Sequence, residues 1–200
     1  MMITTKAVLS IDQLSPRRRW WLIHADSDYI AARTLYGVGV CYLRTLGLCH
    51  EALEKYMKLF LVLHYDVPDE EIDAYLQKEQ LRHHNLVKLR EACFEAAQGD
   101  LRPTLVFGDA NFTQDVEVIE TLRYAGATRY PDWTVVTGES VQIFDRLIYN
   151  VRQDCLNAVE TPLQIVFEKL GSGPGWPSPR HLAYAWPSCF AQPRDCPRRS

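Results

Sequence analysis

The chemistry this chain can do rests on a few charged and titratable residues. In the run 51–58, EALEKYMK, Glu51 precedes Lys55 and Glu54 precedes Lys58 by four residues. On a helix these are i,i+4 ion pairs with the acid on the N-terminal side, the favourable order, worth about 0.2–0.5 kcal/mol per pair. Spacing of this kind commonly builds a solvated, salt-bridged face. Its chemical use is different: Lys55 and Lys58, one turn apart, present two ammonium groups to a phosphate. His83 and His84 follow Arg82 in LRHHNLVKL. Adjacent histidines point different ways on a helix, so they do not chelate one ion together, and neither H-x-x-x-H nor H-E-x-x-H occurs. The bland role for His84 is a helix-start residue bonded to backbone or to a nearby acid. The six cysteines, Cys41, Cys49, Cys93, Cys155, Cys189 and Cys196, form no C-x-x-C pair. Cys49 and Cys155 fall on apolar helical stripes, where a thiol acts as a small hydrophobe. Neither a disulfide framework nor a metal site is expected. G-x-S-x-G, G-x-x-x-x-G-K-[ST] and G-x-G-x-x-G are missing from the sequence, so it calls for no cofactor.

The elements that must position these residues read as helices. Leu46, Cys49, Leu53, Tyr56, Phe60 and Leu63 recur at steps of three and four, one continuous stripe on a helix from about Val40 to His64. His50, Glu51, Glu54, Lys55 and Lys58 occupy its other side. Ahead of it, Ser15-Pro16 is an N-cap followed by proline at the first helical position. That helix is expected to run to Tyr36, stopped by Gly37 and Gly39, with Ile23, Ala31, Ala32 and Leu35 inward. After the turn YDVPDEE, the acidic segment EEIDAYLQKEQL reads as a short helix. HNLVKLREACFEAA, with Leu86, Leu89 and Cys93 in step, is the third main helix. Thr104–Phe107 reads as a brief β-like run in a loop. Thr113 then caps a fourth helix with Asp115 at its positive end, and Val116, Ile119, Arg123 and Ala127 on one face. Pro131 stops it within TRYPD. Phe144, Leu147, Ile148, Val151 and Cys155 set the fifth helix, and Thr161-Pro162 opens a short last one. The predicted fold is all-α: an antiparallel, up-and-down helical bundle of about five main helices joined by short connections.

Composition sets outer bounds. With 47% apolar and 24% charged residues, a formal charge of −3 and a pI near 6.1, the chain has no global basic field to recruit nucleic acid or an anionic membrane. No signal-peptide pattern opens it, and Lys58 interrupts the only strongly apolar segment, so the expected location is the cytoplasm, with no membrane partner. Composition breaks near Gly171. Residues 171–200 hold six of the eleven prolines and four arginines against one aspartate. The expected organisation is an N-terminal segment 1–15, a helical domain 16–170 and a flexible, basic Pro/Gly-rich tail 171–200.

Four motifs in one order, HADSDYIAAR, EALEKYMKLFLV, HNLVKL and RYPD, resemble the HEPN domain (higher eukaryote and prokaryote nucleotide-binding) across roughly residues 20–157. The family's usual run is A-x-x-D-x-x-x-A, Q-A-x-E-K-x-x-K, H-[SDN]-L-x-x-L and R-Y-P-[DE]. The resemblance places Ala25 and Asp28 in the first motif, Glu54, Lys55 and Lys58 in the second, His84 and Leu86 in the third, and Arg129, Tyr130, Pro131 and Asp132 in the last. It implies a homodimeric bundle that binds a nucleotide or an RNA-related anion. Such proteins can also serve as partner to a nucleotidyltransferase in a toxin–antitoxin-like pair. Lys55, Lys58 and Arg129 would then supply charge, while His84 and Tyr130 orient or stack on a base.

Two departures stand out. The family's glutamine is Glu51 here. The R-x(4–6)-H pattern of HEPN ribonucleases occurs only as Arg17, Arg18 or Arg19 with His24, and as Arg44 with His50, all within the first two helices. No catalytic residue is assigned on this reading. Two alternatives stand beside it. One is a metal-independent ribonuclease with His84 or His24 as general base toward a 2′-hydroxyl. The other is a helical scaffold without a small ligand, with Trp20, Trp21 and the tail as contact points.

Overall fold

Ser15-Pro16 opens α1, Pro16–Gly37, with proline where no backbone N–H partner is needed. The structure is a computed structural model that describes residues 13–37, 42–82, 84–122 and 138–156. The start of α1 borrows a carboxylate from far along the chain: the Ser15 hydroxyl donates to Asp69 at 2.6 Å, and the Arg17 amide to the same carboxylate at 3.3 Å. Asp69 thus sits at the positive end of the helix dipole. Arg17 also pairs with Asp73 at 2.6 Å, and Arg18 donates to the Val67 carbonyl at 2.6 Å. The acidic insert after the second helix is therefore a clamp on the first.

The second helix, α2, spans Tyr42–His64 and runs antiparallel to α1. The start of α1 meets the segment just beyond the end of α2, while Asp26 and Asp28 meet Tyr56 and Lys55 near its middle. Leu46, Cys49, Leu53, Tyr56 and Phe60 are all buried, as their spacing predicts. So are Ala52, Met57, Leu59, Leu61 and Val62, which lie off the stripe. α2 is the central helix, covered on nearly every side. The inward face of α1 also departs from expectation. Ala31 is exposed, and Asp26, Tyr29 and Arg33 are buried beside Leu22, Ala25 and Ala32.

At its end α2 closes with an N–H to C=O bond from Val67 to Val62 of 3.0 Å around Asp66, whose φ is +46°. A 3₁₀ turn, Asp69–Glu71, leads into α3, Ile72–Lys78. α3 closes the same way, from Leu81 to Leu76 at 2.8 Å, around Gln80 at φ +55°. Both are Schellman-type stops. α4, Leu86–Ala96, is capped by Asn85, whose side chain accepts from the Lys88 amide at 2.9 Å.

After α4 the structure departs from two expectations. The β-like run is helical: α5 spans Leu101–Phe107, with Pro103 in the first turn, where it is tolerated, and Phe107 buried. A four-residue apolar run does not tell a strand from a helix turn by periodicity. The following helix, α6, spans Ala110–Leu122 and starts before Thr113. Asp109 supplies the cap, accepting from the Phe112 amide at 2.8 Å, and Thr113 bonds back to the Asp109 carbonyl from inside the helix. α7, Gly138–Tyr149, continues as a π-helical turn, Asn150–Cys155, burying Phe144, Leu147, Ile148 and Val151 in the expected register.

Around α2 pack α1, α4 and α7, with α6 against α4 and α7, and α5 against α4 and the π-turn. The fold is all-α, with no strand among the described residues, and no described helix is long and apolar enough to cross a membrane. The RYPD motif, the helix expected at Thr161-Pro162 and the tail 171–200 lie outside the described residues.

Two buried ion pairs tie α1 to α7 and its π-turn. Arg152 reaches Asp26 at 3.0 and 3.3 Å, with the Tyr56 hydroxyl donating to the same carboxylate. Arg33 reaches Asp145 at 3.0 Å, with the Tyr29 hydroxyl donating at 2.6 Å. All four charges are buried. Asp26 precedes Arg33 by seven residues and Asp145 precedes Arg152 by seven. Only antiparallel helices bring acid against base at both ends of such a pair.

Candidate functional site

The charged side of α2 supplies the candidate site, and it is not the solvated face its spacing suggests. Three residues earlier than Met57, the Glu54 side chain is only 8% exposed, and that of Lys58 11%. A helix wrapped by three neighbours has no fully open side, so these groups are drawn into the packing around α4. The carboxylate of Glu54 holds two partners at once. Lys58 Nζ donates to Oε1 at 2.6 Å, and His84 Nδ1 lies 2.7 Å from Oε2. His84 comes from the segment just before α4, thirty residues away, and its ring is 58% exposed. Because the carboxylate only accepts, a neutral His84 carries its proton on Nδ1 and its basic lone pair on Nε2.

Burial works against ionisation of Glu54, but the charges of Lys58 and His84 outweigh it and hold the carboxyl below its ordinary value. One turn back, Lys55 pairs with Asp28 of α1 and, at 3.9 Å, with Glu51. Both i,i+4 pairs therefore form. Two neighbouring clusters, Asp28–Lys55–Glu51 and Lys58–Glu54–His84, make a charged band from α1 across α2 to the start of α4.

Of the residues singled out in sequence, Lys55, Lys58 and His84 come together in this band. Arg129 and Tyr130 lie outside the described residues. Glu54 joins Lys58 to His84, and the signal for it in sequence is its place just ahead of Lys55 and four residues before Lys58. His50, on the same side of α2, is buried and stands 3.4 Å from Glu120 of α6. That carboxylate also accepts from the Leu86 amide at 3.1 Å, holding the first turn of α4 and so the approach of His84. Nothing in the sequence pattern pointed to Glu120, because its partners are contributed by two other helices.

Among the described residues no group of three or more His, Cys, Asp or Glu side chains is arranged to hold a metal ion. Cys49 and Cys93 are buried, and burial pushes both thiols up, so neither is a ready nucleophile. What the band can do chemically is exchange partners: an incoming phosphate would draw Lys55 and Lys58 from their carboxylates, and the exposed ring of His84 can hydrogen-bond or stack. No protein-family model, curated protein or solved structure matches this chain.

Proposed function

We propose that this is a HEPN-like helical protein that binds a nucleotide or an RNA-related anion at the Lys55–Lys58–His84 band, without nuclease activity of its own. The observation that carries the reading is convergence. Asp28, Glu54, Lys55, Lys58 and His84 belong to three separate motifs of the resemblance, and α2 joins them: Lys55 meets Asp28 of the first motif, and Glu54, paired with Lys58, meets His84 of the third. Such a protein would work as a homodimeric bundle, beside a nucleotidyltransferase in a toxin–antitoxin-like pair.

A second reading has its own support. Lys55 and Lys58 are both engaged by carboxylates, with Asp28, Glu51 and Glu54 facing them. A band neutralised in this way also serves a scaffold, in which it fixes α1, α2 and α4 and binds no small ligand.

A thermal-shift scan of the full chain against nucleotides and short RNAs separates the two. A ligand at a hundred times its Kd adds about 2.7 kcal/mol, and 1 kcal/mol moves a domain of this size by about 2–4 °C. A selective shift abolished in Lys58→Ala supports the binding reading. No shift with any member of the panel leaves the scaffold.

A further inference from the structure

Between α3 and α4 lies a groove of about 830 Å³ whose lining includes no residue of the charged band. Its aromatic wall is Tyr65 and Tyr75, with ring centroids 5.9 Å apart and planes tilted by 52°. Tyr65 is half exposed although it is a large aromatic. Ala74 and Ala92 keep the space between the helices open. Glu71, Glu79, Glu91 and Glu95 line the groove against Lys78 and Lys88, so its lining is net acidic.

This combination, paired aromatic rings beside carboxylates, is what a proline-rich segment followed by arginine requires. Prolines hold such a segment near polyproline II at small entropic cost, the rings pack on the prolines, and the carboxylates take the guanidinium. The chain carries one: 174–180 reads PGWPSPR, within residues 171–200, which hold four arginines against one aspartate. We propose that Pro174–Arg180 docks in the α3–α4 groove of its own chain, with Trp176 and the prolines against Tyr65 and Tyr75 and Arg180 among the glutamates. Residues 157–173 connect it to Leu156; even with about ten of them in the helix expected from Thr161-Pro162, at ~1.5 Å each, and the rest extended at ~3.3 Å, the connection spans roughly 35–40 Å. Tethering raises the local concentration of the segment to about the millimolar range, so modest intrinsic affinity is enough.

The test is limited trypsin digestion of the full chain, following cleavage after Arg180 by mass spectrometry. Docking predicts slow cleavage in the wild type. It predicts cleavage at least about tenfold faster in Glu91→Ala/Glu95→Ala and in Trp176→Ala, the change expected for a segment bound about nine-tenths of the time. Unchanged circular dichroism in both variants excludes unfolding as the cause, and the altered positions are surface glutamates and a tail residue. Wild-type cleavage as fast as in either variant overturns the proposal. So does protection that disappears on dilution, which would mean that a second copy supplies the segment.

Discussion

Glu54 shows how one residue can draw a charged helix face into the packing. Its carboxylate is nearly buried, yet it stays ionised because Lys58 and His84 face it. The pH dependence follows from the direction of that shift. A carboxyl whose folded value lies below its ordinary 4.5 binds fewer protons when folded than when unfolded. Its contribution is therefore present above pH 4.5 and lost as the pH falls through the folded value. Glu54→Gln is expected to flatten the loss of stability below pH 4.5 and to cost about 1–3 kcal/mol at neutral pH, where a charged hydrogen bond is removed. Urea unfolding of both proteins at stepped pH checks this; parallel curves would mean that Glu54 does not feel its neighbours. Asp145 acts in the opposite sense. Burial raises its carboxyl and Arg33 only partly compensates, so it favours the folded state most when protonated, and that contribution fades as the pH rises through its folded value.

At the scale of the elements, caps and close approaches decide where helices end. Gly108 ends α5 where an added Cβ would stand 2.7 Å from the Phe94 ring and 2.8 Å from the Thr104 carbonyl. Gly108→Ala is expected to cost about 1–3 kcal/mol through overpacking. Gln80 at φ +55° is the reverse case, a side-chain-bearing residue in a left-handed cap. Gln80→Gly is expected to stabilise by about 0.5–1 kcal/mol by relieving that strain. Thermal unfolding of the two variants should therefore move in opposite directions, and a common direction would contradict the assignment. The same scale shows what the sequence made legible. The helices with clean periodicity, α2, α4 and α7, appear in the expected register because one stripe of each is apolar. The start of α1 was readable from Ser15-Pro16, but not the carboxylate of Asp69 that completes its cap, which arrives from another element. α5 is not legible in sequence because its apolar run is too short to show a period.

For the molecule as a whole, the buried Asp26–Arg152 and Asp145–Arg33 pairs set how α1 and α7 face each other. Neither pair shows in the periodicity, because each joins residues of two different helices. The signal was there in two acid–x₆–base repeats, but it acquires meaning only when both helices are known to pack on α2. Arg152→Met leaves Asp26 buried without its counter-ion and is expected to cost about 3–5 kcal/mol. Exchanging the charges on α1 alone, Asp26→Arg with Arg33→Asp, sets like against like at both ends. Adding Asp145→Arg with Arg152→Asp restores the pairing, and recovery of a cooperative unfolding transition in the fourfold variant checks the orientation argument. Failure to recover would mean that the tyrosines, not the charges, fix the register.

The charged band was readable in part. Lys55, Lys58 and His84 were identified from motif and spacing, whereas the closeness of Lys58 and His84 follows from a fold that carries the start of α4 back beside the middle of α2. The most direct measurement of what the band does is equilibrium binding of a fluorescently labelled short RNA, or of the nucleotide selected by thermal shift, to the full chain and to Lys58→Ala and His84→Ala. Saturable binding that weakens by about tenfold or more in each variant, equivalent to ~1.4 kcal/mol, is the predicted result. Equal affinity in all three proteins, or no binding to any of them, would contradict the assignment of this band as a ligand site.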